Sequence, residues 1–547
     1  MQCLGGFSGY ISARPRRYRN SLTQVISILC FPDRVSGQSC KRKLRCPSSQ
    51  QSSPQIPHFS DVSGAEVSNR YLLNVDFPEK NTGTPTQSLI LPLSEDSMRQ
   101  KHIMPVAAVL MIFLIGCGGP AVDIAWQEAR PLGRDLTTYQ APREPPEAEE
   151  PVQFEEPTGV ITLRQALALV LMHNPDLKAF SWDVRAGEAK TLQARLRPNP
   201  GLEAESENFA GSGNLSGFGA IETTVQLSYL IELGEVRGRR KQVAALETDL
   251  AGWDYETARL DILTQTAQAF INVLAAQEVV ALNEELVRLA EQVLNTVKAQ
   301  VEAGKVSPVE GTRTQVEIAN SRIALEGSKR GLEVACFALA STWGSTSPAF
   351  EKVEGQFEMT KPIPTAEQLA NRISQNSDIA RWTVEMAQRR AAIKLEKSER
   401  IPDLSVGGGM KHFNKISDVA LIFGLSFPLP LFDRNQGAIR EAQYNLAKAF
   451  EERKSAEVAA HTALSEAYGV LSAAWATVIA LKNDVLPAAQ SVFDAATEGY
   501  RLGKFGILDL LDAQRTLFEN RLQYLEALAA YHKAKASVER LIGEPLF

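Results

Sequence analysis

The sequence predicts a mainly α-helical protein with a small β part, built from two tandem structural repeats. Three observations lead to this fold class: a pattern that recurs after about 200 residues, very long amphipathic runs without proline, and four segments of about ten residues with alternating polarity. The 547 residues, 44% hydrophobic and 22% charged, suffice for several domains or for one extended architecture. The net charge of -6 gives no basic footprint, which argues against nucleic acid as a partner.

A secretory signal is predicted inside the chain, at residues 98–116. It opens with two basic residues, continues through an apolar stretch and ends in Leu-Ile-Gly directly before Cys117, the pattern of a bacterial lipoprotein signal. The apolar stretch is too short for a membrane span, which needs about 20 apolar residues. We therefore expect cleavage before Cys117 and lipidation of its thiol, and Gly118 after it favours an anchor in outer-membrane lipid.

The segments on either side of this signal are expected to have no core of their own. Residues 1–97 are polar, have no lasting amphipathic period and precede a signal that works only at an N-terminus. We interpret them as a non-native, disordered extension from a misassigned start, with a genuine N-terminal extension as the alternative. Residues 117–159, rich in proline and glutamate, are predicted to form an extended lipid-anchored tether that cannot pack into a core.

The rest of the chain is predicted to contain one unit twice, at residues 160–360 and 361–547. The sequence Asn-Pro-Asp-Leu at Asn174 matches Asn-Ser-Asp-Ile at Asn376, and a later Gly-Lys pair also recurs about 200 residues on. Each half has the order short helix, helix, two strands, very long helix, tight turn and long helix. Residues 236–301 lack proline and would form a helix of about 100 Å, which needs coiled-coil partners.

The four alternating segments have the length and pattern of membrane-barrel strands, with an apolar side for lipid and a polar side for a lumen. They lie at residues 202–209, 221–229, 404–413 and 419–427. Four strands cannot close a barrel, and open edges are not tolerated in lipid, so we expect three copies to supply twelve strands. A soluble helical bundle with two hairpins is the alternative, but it does not explain why such segments recur at matching places.

The chain from about residue 160 to 545 resembles the TolC-like outer-membrane factors, within them the branch that works with heavy-metal efflux pumps. The motifs that carry the resemblance are Leu-Ile-Glu-Leu-Gly at 230–234 with basic residues after it, PLPLFDRNQGAI at 428–439, and the Tyr-x-x-Gly turn at 500–503. The resemblance implies a homotrimer with a twelve-stranded barrel and a long α-helical coiled-coil tunnel across the periplasm. Its tip would dock onto a periplasmic adaptor protein and an inner-membrane RND pump.

The function implied is that of a passive export conduit, and the substrates expected are divalent heavy-metal cations. Two alternatives stay open: a channel for drugs or small organic molecules, and a periplasmic helical scaffold lipoprotein without a pore. The sequence contains no nucleotide-binding or hydrolase motif, so we expect neither enzymatic activity nor a cofactor. Its cysteines and histidines show no metal-ligand spacing, so we expect a metal to pass through rather than to stay.

A channel gate is expected at Asp509 and Asp512. The two residues are three positions apart and so share one face at the start of the last long helix. In a trimer each would form a ring of three carboxylates, which favours cations, and the resemblance implies that such rings line the closed entrance. The alternative is that the two acids only complement the helix dipole, a contribution of about 0.3–1 kcal/mol.

The two tip turns are expected to contact the adaptor. Gly304 and Gly503 would supply the positive φ that such turns need, and Lys305 and Lys504 follow them. For each lysine, a solvated loop position is an equal alternative. The resemblance implies that Glu310 holds the tip shut through ionic contacts, although Phe505 stands where a basic partner is expected, which puts the closing mechanism in doubt.

Alternation in the strands places several acids on the lumen side. An acidic lumen suits a cation load, although a lumen need only be polar. The residues are Glu203, Glu205, Glu207 and Glu222.

Overall fold

The computed structural model describes residues 126–145, 155–209, 211–359 and 361–546. The expected extension at 1–97, the signal at 98–116 and Cys117 lie outside the described residues. These three expectations therefore stay predictions.

The described chain is mainly helical and carries two small sheets. The helices are α1 Leu163–His173, α2 Pro175–Ala194, α3 Val236–Glu302, α4 Pro308–Ser341, α5 Ala366–Ala370, α6 Ser377–Ser398, α7 Gln436–Ala480, α8 Leu486–Arg501 and α9 Ile507–Ile542. A π-helical turn, Leu481–Val485, joins α7 to α8, and short 3₁₀ turns lie at Gly213–Leu215, Phe218–Ala220 and Ile373–Gln375. The strands are β1 Gly159–Thr162, β2 Gly201–Glu207, β3 Glu222–Ile231, β4 Phe350–Glu354, β5 Leu404–Phe413 and β6 Asp418–Ser426.

The order of elements repeats as the sequence predicts. In the first half α1 and α2 precede the β2–β3 hairpin and the long α3, and in the second α5 and α6 precede the β5–β6 hairpin and α7. The proline-free run forms one unbroken helix, because α3 has 67 residues and so measures about 100 Å. Its counterpart is interrupted, since the π turn separates α7 from α8 and Pro487 follows directly.

Two asparagines at equivalent positions each join the start of one helix to the end of another, α2 to α4 and α6 to α9. Asn174 caps α2 by accepting from the Leu177 amide at 2.8 Å, while its Nδ2 donates to Thr342 O, just after α4, at 2.7 Å. Asn376 caps α6 in the same way, and its Nδ2 donates at 3.0 Å to a carbonyl in the last turn of α9, Leu541 O. As a result α2 and α4 both pack along α3, and α6 and α9 both pack along α7.

The two repeats contact each other through α3. This helix packs against both α6 and α9 of the second half. Arg540 of α9 reaches Asp261 of α3 at 2.6 Å and Asp378 of α6 at 2.7 Å. One guanidinium therefore ties three helices from both repeats together.

One sheet is shared between the two hairpins, and the other is a small parallel pair of β1 and β4. The shared sheet is antiparallel with the order β2-β3-β5-β6, so β3 and β5 join the repeats and β2 and β6 are its edges. All four strands match the alternating segments of the sequence within a few residues.

Residues 126–145 correct part of the tether prediction, because this stretch packs against the helices. Glu256 and Arg259 form a buried ion pair on α3 at 2.7 Å. Glu256 accepts from the Arg130 amide at 2.7 Å, and Arg259 donates to Leu132 O at 3.0 Å. The stretch is held by bonds from its backbone to these helix side chains and by three separate apolar residues, Trp126, Leu132 and Leu136, that pack on the core. The proline- and glutamate-rich composition did not reveal these contacts, because they follow no hydrophobic period.

The asparagine joints lead to a stability prediction. Replacing Asn376 by alanine removes an N-cap and leaves the Leu541 carbonyl without its donor, so the free energy of unfolding should fall by about 2 kcal/mol. Asn376→Asp keeps the cap but loses the amide donor, and it should also destabilise the chain.

Thermal unfolding of the full chain in detergent, followed by circular dichroism, measures this effect. Asn520→Ala is the matched control, because that amide bonds only to Thr516 O in its own helix. An Asn376→Ala midpoint equal to that of the control would contradict the role of the joint.

Candidate functional sites: the polar sheet face and the helical tip

The strand register brings the four predicted glutamates to one face of the shared sheet. Glu203 lies opposite Gln226, Glu205 opposite Thr224, and Glu207 opposite Glu222. Residues directly opposite each other in an antiparallel pair share a face. That this face lines a lumen stays a prediction.

The other face of the sheet is apolar and uncovered in the single chain. Leu421 is 85% exposed and Phe423 79% exposed. The other large apolar residues exposed on this face are Leu202, Val225, Leu227, Met410, Val419 and Leu425, and its polar members, Ser206, Thr223 and His412, lie at the end remote from the helices. A contiguous apolar face of this kind needs lipid or protein to cover it.

The four glutamates have different partners, and one partner, Lys411, was not predicted from the sequence. Lys411 Nζ lies 2.5 Å from Glu207 Oε2 and 2.6 Å from Glu222 Oε2. Glu203 accepts a hydrogen bond of 2.7 Å from the amide of Gln226. Within the described part of the chain, Glu205 has neither a hydrogen-bond nor an ion-pair partner. The face is therefore acidic, but less so than four bare carboxylates would make it.

The signal that could have revealed Lys411 is the same alternation that revealed the glutamates. Lys411 lies opposite Thr224 and so shares the polar face. Lys411 is the one lysine or arginine in the four strands of this sheet. The same strands contain five carboxylates, Glu203, Glu205, Glu207, Glu222 and Asp418.

The two predicted tip turns have the same backbone geometry. Gly304 has a φ of +69° and Gly503 a φ of +71°, a region that side chains disfavour. The amides of Lys305 and Lys504 close the two turns by donating to carbonyls five residues earlier, each at 2.8 Å. Both lysine side chains are exposed, and neither forms an ion pair within the described residues.

A small hydrophobic cluster holds the two tip turns together. Its buried members are Val297, Ala496, Tyr500, Ile507, Leu510 and Ala513, from α3, α8 and α9. Beside it, the Tyr500 hydroxyl donates to Gln300 Oε1 across the repeats at 2.8 Å, a contact with no signal in the sequence. Burial, and secondly the nearby Glu310 carboxylate, raises the pKa of Tyr500 above its usual value.

Among the described residues, Glu310 forms no ion pair that could hold the tip shut. Glu310 is half-buried, and its Oε2 has no hydrogen-bond partner among the described residues. The Phe505 ring packs so closely on Gly499 that this glycine has no room for a Cβ. Phe505 therefore makes an apolar contact at the place where the resemblance led us to expect a basic residue.

The two candidate gate residues lie exposed at the start of α9. Asp509 Oδ2 accepts from the Gly506 amide at 2.9 Å, and Asp512 pairs with Arg515 at 2.6 Å. Asp509 therefore makes the contact at the helix start that the dipole alternative describes, whereas Asp512 forms an ion pair one turn along the same helix. Their arrangement in rings would require further copies of the chain, so the gate stays a prediction.

Among the described residues, no group of three or more histidine, cysteine, aspartate or glutamate side chains is placed to hold a metal ion.

The comparisons with known proteins agree with this architecture. The model of the outer membrane efflux protein family matches residues 166–345 and 369–544, once in each repeat. The chain is 34% identical over 393 residues to the cobalt-zinc-cadmium resistance protein CzcC of Cupriavidus metallidurans, a match that covers 72% of this chain and 92% of that protein. It is 26% identical over 412 residues to the outer membrane protein TolC of Escherichia coli, covering 70% and 82%.

Solved structures share the fold. The CusC crystal structure superposes with a TM-score of 0.58 at 18% identity, covering 75% of this chain and 99% of that one. The CmeC outer membrane channel of Campylobacter jejuni gives a TM-score of 0.58 at 16% identity, with 70% and 85% covered. The chain therefore belongs to the outer membrane efflux protein family and is an efflux channel of the outer membrane.

Proposed function

We propose that the chain is the outer-membrane component of a tripartite RND-type efflux system and exports divalent heavy-metal cations passively. The observation that carries the channel is a sheet with one exposed apolar face and one carboxylate-rich face, attached to a helix of about 100 Å. The relative CzcC, named for cobalt, zinc and cadmium resistance, supports the choice of substrate. A conduit of this kind performs no chemistry and needs no cofactor.

The working form is a homotrimer with a twelve-stranded barrel. The sheet has two open edges, β2 and β6, and a barrel in lipid must close them. Large apolar residues also lie exposed along α4, at Val309, Val316, Ile323 and Phe337, a seven-residue series that Arg330 interrupts. A neighbouring copy would cover these side chains.

The ends of the channel have separate tasks. We propose that Cys117 carries a lipid anchor after removal of the signal at 98–116, and that residues 1–97 are not part of the mature chain. At the opposite end, the exposed turns at Gly304–Lys305 and Gly503–Lys504, with Glu310 behind them, are the surface offered to the adaptor and its pump. Rings of Asp509 and Asp512 would guard the entrance between them.

The substrate is tested by deleting the gene and measuring tolerance to zinc, cobalt, cadmium, copper and silver beside a panel of hydrophobic drugs. Sensitivity confined to metals, restored by the wild-type gene, is the expected result. Sensitivity to drugs alone would agree with an efflux channel but would refute metals as its substrate.

The gate is tested in planar lipid bilayers with the double variant Asp509→Ala/Asp512→Ala. Removing the carboxylate rings should raise single-channel conductance and weaken block by multivalent cations. Asp494→Ala is the control, since this exposed acid on α8 only accepts from Gln490. If the dipole alternative is correct, the double variant will lose about 0.3–1 kcal/mol of stability per acid while block stays unchanged.

A further inference from the structure

An acidic lumen that only attracts cations does not explain why Lys411 contacts two of its glutamates. We propose that Lys411 determines how the channel handles its cargo, by occupying the space between Glu207 and Glu222 in which a divalent cation would otherwise be captured. This inference rests on the proposed function, because it assigns a cation path to the polar face of the sheet.

The geometry makes the lysine a built-in counter-ion. Glu207 and Glu222 are directly opposite each other on β2 and β3, so without a cation between them their carboxylates would repel. The Lys411 ammonium reaches both from the neighbouring strand β5, at 2.5 and 2.6 Å. Its side chain is 21% exposed, and its Nζ lies 5.7 Å from the centre of the Phe413 ring, which shields it further.

The chemistry of Glu207 and Glu222 explains why a cation of the protein itself should lie between them. Carboxylate oxygens are ligands for Zn²⁺ and for harder divalent cations, and two of them facing each other form the beginning of a site. A conduit must attract its ion and then release it. Lys411 is covalently tethered, so its single positive charge permanently offsets half of the charge of the two carboxylates, and its ammonium fills the space between them that cargo would take.

Glu207 and Glu222 lie where the exported cation has to be released. Glu207 ends β2 and Glu222 begins β3, so both lie at the end of the sheet remote from the helices. In the proposed trimer this is the last stage of export, and three such pairs would surround it. Glu205, two residues from Glu207 and without a partner among the described residues, remains available to attract cations electrostatically.

Equilibrium dialysis of the purified full-length chain against Zn²⁺ tests the proposal directly. Lys411→Met should bind at least one more zinc ion per chain than the wild type, with at least tenfold higher affinity than any wild-type site on this face. Adding Glu222→Gln should abolish the gain, and Lys411→Arg, which keeps the charge, should behave as the wild type. Lys415→Met is the matched control, since it removes a nearby positive charge that contacts only Asn214 O, at 3.4 Å.

Conductance measurements distinguish a failure of the Lys411 proposal from a failure of the proposed channel function. In planar bilayers, Zn²⁺ should block Lys411→Met at concentrations at least tenfold lower than it blocks the wild type. If wild type and Lys411→Met both conduct and show equal zinc binding and block, the role of Lys411 is refuted and the channel stands. A wild-type chain that does not conduct would refute the proposed function, and dialysis would still decide whether Lys411 excludes metal from the pair.

Discussion

The helical part of the molecule depends on the paired asparagine joints. A helix of 67 residues has an apolar stripe about 100 Å long, and no other described helix is long enough to cover it alone. Asn174 and Asn376 solve this by bonding the start of one short helix to the end of another. Because one amide side chain serves both termini, two short helices act as one cover, and the long helix is partnered along most of its length.

The repeats are then fastened to each other at three levels. β3 pairs with β5 in the sheet, Arg540 bridges acids of α3 and α6 in the middle, and Tyr500 reaches Gln300 at the tip. At each level at least one contact joins the two halves: β3 to β5, Arg540 to Asp261, and Tyr500 to Gln300. The duplicated unit is therefore a single body from the sheet to the tip, which allows the proposed trimer to form one continuous passage.

Periodicity predicted the elements well and their contacts poorly. Residues 236–301 and the four strands were found because hydrophobic spacing directly indicates the apolar stripe of a helix or the apolar face of a sheet. Alternation in β5 places Lys411 on the polar face, but its contact with Glu207 and Glu222 is set by the register between strands far apart in sequence, which neither strand encodes alone. The stretch 126–145 was misjudged because it is held by backbone bonds to Glu256 and Arg259 and by a few separate apolar side chains, which together form no periodic pattern.

The strand order also bears on symmetry and ancestry. Within one chain, the second strand of the first hairpin, β3, pairs with the first strand of the next hairpin, β5. Closing a ring of three chains would pair β6 with the β2 of the next copy, which is the same kind of contact between equivalent strands. A trimer is thus a ring of six near-equivalent hairpins, and a half-length ancestor with one hairpin could have formed the same ring as a hexamer before its gene was duplicated.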